Sequence, residues 1–192
     1  MLQRITASCQ EASEQIDVFC REQGEQLVLL AKQISHLFTE GGQLLVAGSG
    51  SLLPVAQLTV AQFVYRLGFD RPGLPAICLG SDSVLNARMS GRGQPEQHLV
   101  RQYRALNNAQ HLLLVFSDAD DTSALDPLCE EALENDQPVA LLSFDCRKDP
   151  LQSPEIDICL SLTAKVFPRQ IELAQFAGHL LCELVEMELF GR

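Results

Sequence analysis

Apolar positions along the first forty residues follow a helical rhythm. Ile5, Cys9, Ala12, Ile16 and Phe19 recur at alternating steps of four and three, and Leu27, Leu30, Ile34 and Leu37 continue the pattern after Gly24. The spacing predicts two N-terminal helices, or one bent helix, with Gly24 as the stop between the stripes. After Glu40-Gly41-Gly42 the pattern changes to short, continuous apolar runs at residues 43–47, 76–79, 112–116, 139–144 and 156–162. Runs of that length, closed by glycine or polar turns, predict strands buried on both faces, as in parallel sheets. Helical stretches lie between most of them, so the chain reads as α/β, a Rossmann-like three-layer αβα sandwich around a five-stranded parallel sheet. A long amphipathic helix from about Pro168 to Leu189 closes the chain, with the proline well suited to a first turn. The expected organisation is one domain over residues 1–192, a helical segment over 1–40 and the core with its closing helix over 41–192.

Composition narrows what such a domain can do. With 192 residues and 46% hydrophobic content, one chain can bury a full core without a second domain. Asp and Glu number 25 against 14 Lys and Arg, a net charge of -11 whose field repels nucleic-acid phosphates and anionic lipid surfaces. Direct nucleic-acid binding and membrane association are therefore not expected. The seven cysteines, Cys9, Cys20, Cys78, Cys129, Cys146, Cys159 and Cys182, are odd in number and contain no C-x-x-C pair. They read as reduced thiols in apolar surroundings, which implies a cytoplasmic setting. The first residues carry no apolar signal core, and no apolar run approaches the ~20 residues of a membrane span.

A strand that runs into Gly48-Ser49-Gly50-Ser51 before a helix is suited to an anion, because glycine allows close approach and N–H groups point outward at a helix start. A tight strand-to-helix turn would use the same glycines. The loop lacks the third glycine of a dinucleotide fingerprint and the Gly-Lys-Ser/Thr of a nucleotide-triphosphate loop. Together with Arg71-Pro72-Gly73-Leu74-Pro75-Ala76-Ile77, at matching distance, it resembles the SIS (sugar isomerase) domain of phosphoheptose isomerases. Arg101-Gln102, Ala105-Leu106, Leu112-Leu113-Leu114 and the closing run from Leu181 to Glu186 extend the resemblance over nearly the whole chain.

What the resemblance implies for chemistry is depletion. The family's phosphate-holding serine falls on Leu52, its metal-binding histidine on Leu58, its general acid/base glutamate on Gln62 and its glutamine ligand on Ile171; its histidine ligand matches His179. Leucine cannot ligate zinc, and an amide cannot exchange a proton near neutral pH, so aldose–ketose interconversion loses its base. His179 is thus the one candidate catalytic residue, and no metal or cofactor is expected. Where the family has a hydroxyl-rich second phosphate loop, this chain has Ser117-Asp118-Ala119-Asp120-Asp121-Thr122. The candidate ligand-binding set is Gly48, Ser49, Gly50, Ser51, Ser117, Asp118, Asp120, Asp121 and Thr122, with the carboxylates expected to expel a phosphate. Asp120 or Asp121 can also cap a helix starting near Thr122. An Mg or Ca site on the three aspartates lacks the glycine and distal glutamate such loops use. Arg92 stands where the isomerases tend to carry Asn-Asp, and His36, His98 and His111 show no ligand spacing.

Three classes of function fit these residues. The first is a non-catalytic SIS module that takes a small sugar-derived ligand or a protein partner, similar to the DnaA initiator-associating relatives of phosphoheptose isomerase. The second is a phosphosugar isomerase with a rearranged site. The third is a structural subunit paired with a complete SIS paralogue. The first is favoured, because base, metal ligands and both phosphate loops are altered together. The resemblance also implies self-association through the terminal helices, as a homotetramer or a dimer.

Overall fold

The computed structural model describes residues 1–106, 110–156, 158–164 and 166–191. Its strands are β1 (Gln43–Gly48), β2 (Ala76–Cys78), β3 (His111–Ser117), β4 (Val139–Ser143) and β5 (Ile158–Ser161), joined in one parallel sheet in the order β2-β1-β3-β4-β5. All five expected strands are present; Asp157, inside the expected fifth run, lies outside the described residues. Alternate side chains feed two separate cores. Leu44, Val46, Leu112 and Leu114 pack under α1 (Leu2–Thr39), α2 (Leu53–Val64) and α6 (Phe167–Phe190). Leu45, Ala47, Leu113 and Val115 pack on the other face, under α4 (His98–Leu106) and α5 (Asp126–Glu134). Both faces being covered is why the strands read as continuous apolar runs. The short α3 (Ser83–Ser90) starts on Asp82, whose side chain accepts the N–H groups of Val84 and Leu85.

The N-terminal expectation needs correction. α1 is one helix that passes through Gly24 without a break. A mid-helix glycine costs about 1 kcal/mol relative to alanine, and the burial of Phe19, Leu27, Leu30, Ile34 and Leu37 on the same face outweighs it. Phe19 meets Phe176 of α6 edge to face, with centroids 6.5 Å apart. At 38 residues the helix is roughly 57 Å long, and its beginning overhangs the core: Ile5 and Cys9 remain exposed.

Two strongly conjoined charges hold α2 to α6. Arg71 Nε lies 2.7 Å from Glu186 Oε1, with the side chains 1% and 4% exposed. Arg71 Nη1 donates to the Phe63 and Pro72 carbonyls at 2.8 and 3.0 Å, and Nη2 to the Gln62 carbonyl at 2.9 Å. Glu186 in turn accepts the N–H groups of Leu67 and Gly68 at 2.9 and 3.3 Å. The end of α2, the turn after it and the last turns of α6 therefore share one buried, hydrogen-bonded pair.

The cysteines differ from the uniformly reduced set. Cys146 and Cys159 form a disulfide, with Cα atoms 6.2 Å apart. Because β4 and β5 are neighbours, Cys159 pairs opposite Leu141, and the loop after β4 curls back beside it. The thiol argument for a reducing compartment does not extend to this pair. Cys129 and Cys182 are buried free thiols, and burial raises both to about 12, with Asp126 adding to Cys129 and Glu186 to Cys182. No helix among the described residues is long and apolar enough to cross a membrane.

Two outcomes are expected. Removing one partner of the buried pair, as in Arg71→Ala or Glu186→Ala, leaves an uncompensated charge and should lower unfolding free energy by about 3–5 kcal/mol in urea titration. Reducing the Cys146–Cys159 bond reopens a loop of sequence separation 13 and should lower stability by about 3 kcal/mol, with Cys146→Ser showing the same loss without reductant.

Candidate functional site

The strand order reverses between β1 and β3, and in open α/β sheets the crevice beyond the carboxyl ends of strands at such a point is where ligands bind. Both sequence-predicted loops meet there. β1 ends at Gly48 and passes through Ser49 into a 3₁₀ turn, Gly50–Leu52, before α2, while β3 ends at Ser117 and enters the acidic segment. The register pairs Gly48 with Phe116, and Ser49 N donates to the Phe116 carbonyl at 3.0 Å.

The contact between the loops is made by Asp118. Its N–H donates to Ser49 Oγ at 3.1 Å, and its Oδ1 accepts the N–H groups of Asp120 and Asp121 at 3.2 and 3.1 Å. A Cβ placed on Gly50 would lie 2.8 Å from Asp118 Oδ2, and Gly50 has φ +45. So the carboxylate rests on the glycine turn, and only glycine leaves room for it there. Two N–H groups that an anion would need are taken by the chain's own anion. Ser117 Oγ accepts the Ala119 N–H at 3.0 Å, and Ala119 adopts φ 64, a left-handed backbone unusual for a residue with a side chain.

Capping is arranged otherwise than expected. α5 begins at Asp126, with a proline in its first turn and Leu125 as an N-cap that makes no side-chain bond, so neither Asp120 nor Asp121 caps it. Asp121 instead accepts the hydroxyl and N–H of Ser123, and Thr122 Oγ1 donates to Asp126 Oδ2 at 3.2 Å. Pro127, pre-set for a first helical turn, is the signal that marks the true start.

The positions to which the resemblance assigns isomerase chemistry separate by environment. Leu52 is 0% exposed and belongs to the core, while Ser51 is exposed beside it. Leu58 is 47% exposed on α2, and His179 is exposed on α6. They flank the α2–α6 crossing, where a Cβ on Gly178 would collide with Thr59 Oγ1. Gln62 is half-buried with its Oε1 unpartnered, and Ile171 packs against the core. Among the described residues no group of three or more His, Cys, Asp or Glu side chains is placed to hold a metal ion. His111, which shows no ligand spacing in the sequence, is buried with Nε2 2.7 Å from the Tyr103 hydroxyl. Burial, with help from the Glu131 charge, pushes that phenol up to about 12, so it keeps its proton at neutral pH. Gln102, from the matched pair Arg101-Gln102, accepts the Gly80 N–H at 2.6 Å and ties α4 to the exit of β2.

A doubly wound parallel sheet with a glycine turn and a second strand-end loop at its switch point is the architecture of α/β domains that take a small ligand in that crevice. No family model matches the chain. It is 31% identical over 154 residues to a phosphoheptose isomerase of Burkholderia pseudomallei, covering 80% of this chain and 77% of that protein. It is 29% identical over 188 residues to one of Desulfovibrio desulfuricans, covering 97% and 88%. A solved phosphoheptose isomerase from Francisella tularensis superposes with a TM-score of 0.86 at 23% identity, over 97% of this chain and 98% of that one. The chain belongs to the phosphoheptose isomerase family. The shared name of these relatives weighs toward the isomerase alternative and against the non-catalytic reading.

Asp118→Ala should free the Asp120 and Asp121 N–H groups and clear Gly50. Titration calorimetry with inorganic phosphate is expected to show at least a tenfold gain in affinity over the unaltered chain, about the worth of one charge-assisted hydrogen bond.

Proposed function

We propose that this chain is a phosphosugar-isomerase relative whose scaffold serves binding or regulatory contacts and whose isomerisation chemistry has been lost. The observation that supports it most is the Asp118 carboxylate lying on Gly50 in the phosphate crevice. Gln62 strengthens it, since no proton can be moved between adjacent sugar carbons by an amide. Full-length protein incubated with sedoheptulose phosphate in D₂O is expected to show no deuterium incorporation by NMR.

A second reading, an active phosphosugar isomerase with a rearranged site, is favoured by the name the relatives share. On that reading Asp118, the carboxylate that touches the glycine loop, takes the place of the missing base. Deuterium incorporation that disappears in Asp118→Asn would establish it and overturn the first reading.

Self-association accompanies either reading. Leu58 and Val64 on α2, Tyr65 just after it, and Val18, Val28 and Leu29 on α1 are large apolar side chains left exposed on a single copy. Such surface is usually covered by another copy. Light scattering at micromolar concentration is expected to give a tetramer mass; a monomer would contradict it.

A further inference from the structure

On a chain of net charge -11, three arginines come together without acidic partners. Arg88 lies in the last turn of α3, Arg92 in the loop that follows, and Arg101 on α4, and all three line one cleft of about 290 Å³ with Leu85, Met89 and Gln94. None of the three makes an ion pair or a side-chain hydrogen bond among the described residues. Their neighbour Arg104 behaves differently. It grips Glu131 through Nε at 3.0 Å and Nη2 at 2.5 Å, and is thereby neutralised. The helix dipole accounts for a cation at the end of α3, but not for a loop arginine and one from a second helix facing the same space. A second cleft of about 450 Å³ adjoins the first through Met89, Gln94 and Arg101, and adds Gln97, Val100 and the Glu131-paired Arg104.

We propose that this paired cleft is a binding site for a small phosphorylated molecule. Its phosphoryl group is held by the guanidinium groups of Arg88, Arg92 and Arg101, and its uncharged polar body lies along Gln94, Gln97 and Met89. Guanidinium matches phosphoryl oxygens in geometry as well as charge. The joined clefts have the size of a metabolite site, and the acidic field of the whole chain argues against an extended polyanion as the occupant. None of the residues between Gly48 and Ser51 or between Ser117 and Thr122 lines it, so the inference holds whether or not the chain isomerises a sugar.

The test is calorimetric titration of full-length protein with inorganic diphosphate. One saturable site per chain is expected, weakened about tenfold by each of Arg88→Gln and Arg101→Gln and abolished when Arg92→Gln is added to both. All three side chains are exposed, so the thermal midpoint without ligand should not move. Lys32→Gln removes the same charge from α1 and should leave binding unchanged. Absence of saturable binding up to roughly 10 mM, an affinity weaker than about 3 kcal/mol, would overturn the proposal. Binding that persists in the triple variant, or falls equally in Lys32→Gln, would do the same, placing the anion elsewhere or reducing the effect to net charge.

Discussion

The ion pair between Arg71 and Glu186 is the constraint on which the placement of the crevice depends. Burying two opposite charges is expensive, and it becomes tolerable only when their remaining hydrogen-bonding capacity is met. Here Arg71 reaches three backbone carbonyls besides the carboxylate, and Glu186 takes two N–H groups from the turn after α2. Gly73 adds a close approach: a Cβ there would sit 2.6 Å from the Val64 carbonyl oxygen. The far end of α2 is therefore fixed both to α6 and to the entry of β2. Since α2 begins directly after the glycine turn, fixing one end of the helix sets the position of the other.

At that other end the two strand-end loops are joined by Asp118. A carboxylate held on a glycine turn is a compact internal substitute for the anion such a turn is shaped to receive. A second anion brought to ~4 Å from it meets a repulsion of ~1 kcal/mol in water and ~4 kcal/mol at an effective dielectric near 20. Ala119, held in a left-handed backbone by its neighbours, shows that the loop is constrained to this arrangement, because an L side chain there costs about 1–2 kcal/mol.

The strands were legible in the sequence because each is covered on both faces, and continuous apolar runs such as Leu112 to Phe116 allow little else. The closing helix was legible for a similar reason, its proline standing where the helix begins. Gly24 misled because a glycine reads as a stop in one dimension, whereas α1 is held by side-on packing that carries it past one unfavourable residue. The disulfide was invisible because nothing local says that β4 and β5 are neighbours. The role of Asp118 was half legible: its charge opposed a phosphate on paper, but its seat on Gly50 depends on the β1–β3 register. Pro127 marked the start of α5 more reliably than the aspartates before it.

The segments that match the family, Arg71 to Ile77 and Leu181 to Glu186, contain both members of the buried pair. The positions to which the resemblance assigns the isomerase's reacting groups, Leu58 and Gln62, stand on the exposed or half-buried side of α2, and His179 faces outward on α6. Replacing a side chain on such a surface usually changes stability by less than about 0.5 kcal/mol, whereas breaking the buried pair costs several. Folding energy thus constrains the matched segments whether or not catalysis continues, while it places little constraint on the side chains at positions 58 and 62. A fold shared with isomerases is therefore compatible with the proposed loss of reacting groups, since the forces that keep one do not act on the other.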